Sequence, residues 1–166
     1  MYSCQYWGVD SDYTSTPTGW REWVSLPGIG VPWIKAKIDT GAQTSALHAD
    51  DITEFSRDGE EWVRFTVHPW QKSTADAVTV ELPIHDRRYV RSSSGHSEYR
   101  LVVMVDLVLV DREISVEMTL TDREEMVFRM LIGREALRQG YVVDSGASYA
   151  GGTPSPAIRR RNSGRS

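Results

Sequence analysis

Ile34-Lys35-Ala36-Lys37-Ile38-Asp39-Thr40-Gly41-Ala42-Gln43-Thr44-Ser45, residues 34–45, is the stretch on which the reading of this chain turns. It is strand-like up to Asp39, so a carboxylate stands at a strand end. Thr40 then offers a hydroxyl that can bond to backbone, and Gly41 permits a sharp turn while leaving room for a substrate or a second chain. An aspartate that merely caps a turn produces the same three letters, so a second match elsewhere in the chain is needed to read a site.

The second match is Phe128-Arg129-Met130-Leu131-Ile132-Gly133-Arg134-Glu135-Ala136-Leu137. Together the two stretches resemble the retropepsins, aspartic proteases in which an apolar pair followed by glycine, arginine and a short helix passes beside the Asp-Thr-Gly loop and holds it. A closer resemblance runs from Trp23-Val24-Ser25-Leu26 through Lys35–Ala42, Ser45-Ala46-Leu47-His48 and Thr119-Leu120-Thr121-Asp122-Arg123 to Tyr141-Val142-Val143-Asp144. It is to a bacterial family often labelled ATP-dependent zinc proteases and associated with ATP-grasp glutamate ligases that modify a ribosomal protein. The resemblance spans residues 20–149. It implies a mostly β, closed retropepsin-like barrel with one short C-terminal helix. The activity it implies is that of an aspartic-type endopeptidase acting on acidic, glutamate-rich peptides or tails, with Asp39, Thr40 and Gly41 as its catalytic loop.

With 166 residues and 40% hydrophobic content the chain suits one domain with a real core. An aspartic protease needs two aspartates, so a one-lobe chain is expected to obtain the second from an identical partner, as a homodimer. The formal net charge is −4. The last ten residues hold Arg159, Arg160, Arg161 and Arg165 without an acid, so the body is acidic and the tail basic. A solvated tail is the plainer reading of that cluster, and no direct nucleic-acid binding is expected. Cys4 is the single cysteine, which excludes an intrachain disulfide and a thiolate metal cluster. No run approaches the roughly 18 apolar residues of a membrane span, and the N-terminus lacks a signal-peptide pattern, so the expected compartment is the cytoplasm.

Along the chain, residues 1–19 mix polar residues with unperiodic aromatics and read as a flexible leader. Strands are expected at 22–26 and 33–38, at 44–48, across an Asp58-Gly59 hairpin joining 52–56 to 61–68, at 78–84, and in a long hairpin of 101–110 with 113–121. Helix is expected only over 134–139, stopped by Gly140, before a last strand at 141–144. Residues 150–166 read as a disordered basic tail.

If Asp39 meets its copy across a dimer axis, two adjacent carboxyls hold one proton between them and can act as general base and general acid without a cofactor. Lys37 lies on the same face of the strand as Asp39 by the period of two, where it would oppose that shared proton or read an acidic side chain of the substrate. Arg87, Arg88, Arg91 and Arg100 surround Ser92-Ser93-Ser94-Gly95, the one candidate lid. They are either a solvated surface or, with Lys37, the binding groups for a carboxylate-rich peptide. Asp144-Ser145-Gly146-Ala147 repeats the aspartate motif but is discounted, because two lobes do not fit this length. His48, His68, His85 and His96 lie 20, 17 and 11 residues apart without a His-Glu-x-x-His segment, and no phosphate-cradling loop occurs. No metal ligands and no cofactor are therefore assigned. The alternatives left open are a non-catalytic module of the same fold binding an acidic partner, and a metal-dependent hydrolase.

Overall fold

A computed structural model describes residues 15–91, 94–122 and 127–162. Its centre is the pair β2 (Arg21–Leu26) and β3 (Val31–Asp39), joined through a 3-10 turn over Pro27–Ile29. On β3 the inward residues Ile34, Ala36 and Ile38 are buried, so Lys35, Lys37 and Asp39 fall on the other face. The carboxylate is thus presented away from the barrel core.

The barrel closes through β4 (Ser45–His48), β9 (Ser97–Leu109), β10 (Arg112–Thr121) and β11 (Met130–Gly133), in the order β10-β4-β11-β3-β2-β9 with β9 pairing back to β10. Closure removes the free edges of these six strands. The expected long hairpin forms, and Leu101, Val103, Val105, Leu107 and Leu109 face Ile114, Val116, Met118 and Leu120 in one buried cluster. β11 slots between β3 and β4, parallel to the first and antiparallel to the second, with Gly133 opposite Asp39.

Outside the barrel, β5 (Asp50–Arg57), β6 (Glu60–Val67) and β7 (Val78–Pro83) form a three-stranded sheet. Its first turn is the Asp58-Gly59 pair, both residues at positive φ (52° and 80°), the geometry a two-residue hairpin loop requires. β8 (Asp86–Arg91) pairs with the first half of β9 as a projecting hairpin. A short pair, β1 (Thr16–Gly19) with β12 (Tyr141–Asp144), runs parallel beside the barrel.

Three elements depart from the sequence expectation. The leader is ordered from Thr16, because β1 is held by backbone pairing to β12 and by burial of Thr18 and Gly19, neither of which leaves an apolar period. The arginine stretch 86–91 is an edge strand, whose charged side chains alternate on a half-exposed surface. The tail is not wholly without structure. After α1 (Arg134–Leu137), a second helix, α2 (Pro156–Asn162), begins where Ser155 caps with its hydroxyl toward the Ile158 N–H and Pro156 takes the first helical position. Reading Pro154 and Pro156 only as breakers missed that signal. Residues 1–14, with the leader's aromatics and Cys4, the lid residues Ser92 and Ser93, and residues 163–166 lie outside the described residues. No helix of the described residues is long and apolar enough to cross a membrane.

Candidate active site

Asp39 closes its own loop. The Gly41 N–H donates to Asp39 Oδ1 at 2.9 Å and the Ala42 N–H to the Asp39 carbonyl at 3.3 Å, so one side chain and one carbonyl shape the turn. β11 and α1 brace it from outside. The Arg134 N–H donates to the Ala42 carbonyl at 2.8 Å, the Glu135 N–H to Gln43 O at 3.2 Å, and the Gly133 N–H to Ser45 Oγ at 3.1 Å. Gly133 is required here, since a Cβ would lie 2.6 Å from the Thr44 carbonyl oxygen and 2.9 Å from that of Ala42. The brace leaves the Asp39 side chain 29% exposed, fixed yet open to water or a ligand.

The opening is a cleft of about 1150 Å³ whose lining includes Asp39, Gly41, Arg88, Arg91, Arg100 and Arg134. The arginines are not equivalent. Arg88 is committed to Glu117 at 2.6 Å and Asp86 at 2.6 Å; those hydrogen bonds raise its pKa further and hold both carboxyls below the usual range. Arg100, buried to 7% exposure, lies against Glu98 and Thr119. Arg87 is drawn out of the cleft by Glu54 and Glu61, at 2.6 and 2.5 Å. Among the described residues Arg91 has no carboxylate partner, and the Arg134 guanidinium makes one hydrogen bond, to the Gly41 carbonyl at 3.4 Å. These two are the cations of the cleft whose guanidinium groups remain available. Lys37 is half-exposed outside the lining, with Nζ 3.9 Å from Asp39 Oδ2, so the shared face expected from the strand period is realised.

Sequence reasoning missed Arg134 as a ligand-facing group although it sits in the quoted Gly133-Arg134 pair. It also missed Glu117, which reaches the cleft only through the β9–β10 register. The end of β8 carries Tyr89, Val90 and Arg91 into the cleft wall. No sequence spacing marked metal ligands. The fold nevertheless brings one ligand atom each of His48, Asp50 and Asp122 within 4.8 Å of one another, at the end of β4 remote from Ser45. Burial, outweighing the nearby Asp50 carboxylate, holds the pKa of the His48 imidazole below its ordinary value.

A closed six-strand barrel whose Asp-Thr-Gly loop is braced by an apolar-apolar-Gly strand defines the retropepsin-like class. Residues 17–153 match the RimB-like family, described as retropepsin-like aspartic endopeptidase RimB, and the chain belongs to that family. Curated relatives include proteins named "Probable alpha-L-glutamate ligase". One, from Desulfotalea psychrophila, is 42% identical over 82% of this chain and 29% of its own length; another, from Parasynechococcus marenigrum, is 45% identical over 79% and 28%. The chain thus spans less than a third of the length of the curated relatives it matches. Among solved structures, that of Lpg0085 from Legionella pneumophila, a DUF785 protein titled as of unknown function, superposes with a TM-score of 0.71 at 26% identity. The match covers 82% of this chain and 98% of that one.

Proposed function

We propose that this chain is an aspartic-type endopeptidase that hydrolyses peptide bonds in acidic, glutamate-rich segments, working as a symmetric homodimer. The observation that carries the reading is the sharing of one cleft by Asp39, rigidly held yet accessible, with Arg91 and Arg134. In the dimer two Asp39 carboxyls hold one proton between them. The ionised carboxylate takes a proton from a water that attacks the scissile carbonyl carbon, while the protonated one donates to the carbonyl oxygen; collapse then breaks the C–N bond and the nitrogen leaves protonated. Arg91 and Arg134 pair substrate carboxylates through their planar forks, and Lys37 adds positive charge beside the catalytic group. Relatives named as glutamate ligases share this domain, which supports glutamyl peptide as the substrate class and a functional link to such a ligase.

The test is cleavage of a peptide ending in a glutamate run, against a matched glutamine run, followed by mass spectrometry, with wild-type chain mixed with increasing Asp39→Asn chain. Preferential cleavage of the acidic peptide, falling faster than the wild-type fraction because mixed dimers are dead, is expected. Activity simply proportional to wild-type chain would overturn the dimeric mechanism, and equal cleavage of both peptides the substrate class.

A further inference from the structure

The outer face of β2 and β3 carries more positive charge than its neighbours neutralise. Val24, Leu26, Ile34, Ala36 and Ile38 turn into the core, so Arg21 and Trp23 on β2 share the other face with Lys35 and Lys37 on β3. Register sets Arg21 directly opposite Lys37, and Trp23 opposite Lys35. Like charges opposite one another across a ladder are destabilising, and here they stand in a chain whose formal net charge is −4. Lys37 reaches one acid, Asp39 Oδ2 at 3.9 Å, whereas Arg21 and Lys35 make no ion pair among the described residues. Glu22, their neighbour on β2, is buried on the opposite side and gives its oxygens to the N–H groups of Gly19, Ala150 and Gly151.

Aromatic rings hold these cations where carboxylates do not. The Arg21 guanidinium carbon lies 4.7 Å from the Trp20 ring centre and 4.9 Å from that of Tyr149, and Lys35 Nζ lies 5.6 Å from Trp23 and 5.5 Å from Tyr149. Trp23 and Tyr149 stack, with centroids 6.4 Å apart. Two hydrogen bonds fasten the rack: the Tyr149 N–H donates to the Arg21 carbonyl at 3.0 Å, and Arg21 Nε donates to Ser148 Oγ at 3.2 Å. Tyr149 takes a φ of 57°, a left-handed conformation that is costly for a bulky residue, and its ring thereby stands against both cations. The rings fix the direction of each cation and leave its charge unpaired.

The face also continues the cleft. Leu131, which lines the cleft, stands opposite Lys37 in the β11–β3 register, and Lys37 stands opposite Arg21 in the next, so two strand spacings, about 10 Å, separate the cleft floor from Arg21. We propose that this face is a binding surface for the part of an acidic polypeptide that extends beyond the cleft, with Arg21, Lys35 and Lys37 pairing its carboxylates. The proposal rests on the reading of the cleft as a peptidase site for glutamate-rich segments, and it adds where the rest of the segment lies. An extended peptide advances about 3.3 Å per residue, so about three residues beyond the cleft floor reach Arg21 and a longer run engages Lys35 as well. Nucleic acid suits the face less well. Trp23 is 6% exposed and Tyr149 is stacked on it and contacted by both cations, which leaves neither ring free for a base to stack on.

The test is fluorescence anisotropy of a labelled run of about ten glutamates, long enough to cross both strands, with the full chain carrying Asp39→Asn so that binding is read without cleavage. Adding Arg21→Gln together with Lys35→Gln should weaken binding about fivefold and flatten its salt dependence, as expected when two exposed charge pairs are lost. Arg21→Lys with Lys35→Arg keeps both charges and should bind within about twofold of the parent. Lys35→Gln alone, which leaves the Arg21 hydrogen bond to Ser148 in place, should give a smaller loss in the same direction. Absence of binding, equal affinity in the doubly neutralised chain, or a charge-retaining variant as weak as the neutral one would each overturn the proposal. Tighter binding of an oligothymidylate of matched charge would overturn it in favour of nucleic acid. Binding as expected by a chain that in its wild-type form cleaves no peptide would sink the peptidase reading and leave the surface standing; cleavage with undiminished binding in the neutralised chain would do the reverse.

Discussion

Asp39-Thr40-Gly41-Ala42 and Asp144-Ser145-Gly146-Ala147 are built to one local plan and placed in two different settings. In each, the aspartate Oδ1 accepts the N–H two residues on at 2.9 Å, and its carbonyl accepts the alanine N–H, at 3.3 Å and 3.1 Å. In each, a parallel strand ends opposite the aspartate on a glycine, Gly133 or Gly19, whose successor donates its N–H to the alanine carbonyl, at 2.8 Å from Arg134 and 3.0 Å from Trp20. Both glycines are forced, since a Cβ on either would come within 2.6 Å of a carbonyl oxygen. Only the surroundings differ. Asp39 opens into a cleft with Arg91 and Arg134, whereas Asp144 is not among the cleft's lining residues. The loop is therefore a way of fixing a carboxylate, and what lies in front of it makes the site.

The sharpest way to break this comparison is to neutralise each aspartate. Asp39→Asn keeps the oxygen that shapes the loop and removes the ionisable group, so peptide hydrolysis should fall about 10²–10⁴-fold with the melting temperature nearly unchanged. Asp144→Asn should leave turnover within about twofold, because a motif outside the cleft has no proton to move. Reversed effects in a cleavage assay would transfer the catalytic role to Asp144.

The two loops also differ in their anchors. Glu22, fully buried, accepts the N–H groups of Gly19 at 2.8 Å, Ala150 at 3.0 Å and Gly151 at 2.9 Å, and so ties the chain beyond Asp144 to β2. Glu22→Ala would strand three amides and should cost at least about 3 kcal/mol, read from denaturant unfolding. Glu22→Gln, which keeps an acceptor, should cost less. An unchanged unfolding midpoint in Glu22→Ala would show that the anchor contributes nothing.

Substituting the brace glycines separates shape from chemistry. Gly133→Ala and Gly19→Ala each push a methyl into backbone and should cost about 1–3 kcal/mol. Only Gly133→Ala should also lower turnover per folded molecule, since it displaces the loop carrying Asp39. Equal loss of activity in both would mean that the two loops move as one unit.

Much of this was legible beforehand. The alternation in 101–121, the Asp58-Gly59 turn and the two quoted stretches carry period and turn chemistry that survive as barrel, hairpin and brace. What stayed hidden depends on partners distant in sequence. β1 has no apolar period because it is held by backbone pairing, and the His48-Asp50-Asp122 corner arises from two strand registers rather than a spacing. The division of the arginines into committed and available ones was likewise invisible, since it rests on where Glu54, Glu61, Glu98 and Glu117 fall.

Charge in front of Asp39 should be the next measurable difference. Arg91→Ala should raise KM for a glutamate-run peptide about tenfold with little change in kcat, as expected when one charge-assisted pair is lost from binding. Added salt should shrink the difference as screening shortens to about 8 Å at physiological ionic strength. An unchanged KM would remove the end of β8 from substrate recognition.

The smallest expected effect is one of pH, and it separates the chain end beyond Asp144 from the Asp39 loop. The Trp70 indole N–H donates to Asp76 Oδ2 at 2.7 Å, and Arg161 on α2 reaches the same oxygen at 3.0 Å. Together, the indole bond first, they hold the Asp76 carboxyl below its ordinary value. A depressed carboxyl adds stability that is present above the unfolded value and is lost as the pH falls through the folded one, so α2 should loosen only below about pH 4. The contribution is under about 1 kcal/mol, because Asp76 and Arg161 are 45% and 56% exposed and water screens the pair. The Asp39 brace, by contrast, runs through backbone groups and the Ser45 hydroxyl, which do not titrate there. An acid titration followed by indole fluorescence should show a small early change, absent in Asp76→Asn, before the global transition. If that change persists in Asp76→Asn, the acid-sensitive contact lies elsewhere, and the chain end is fastened by Glu22 rather than by α2.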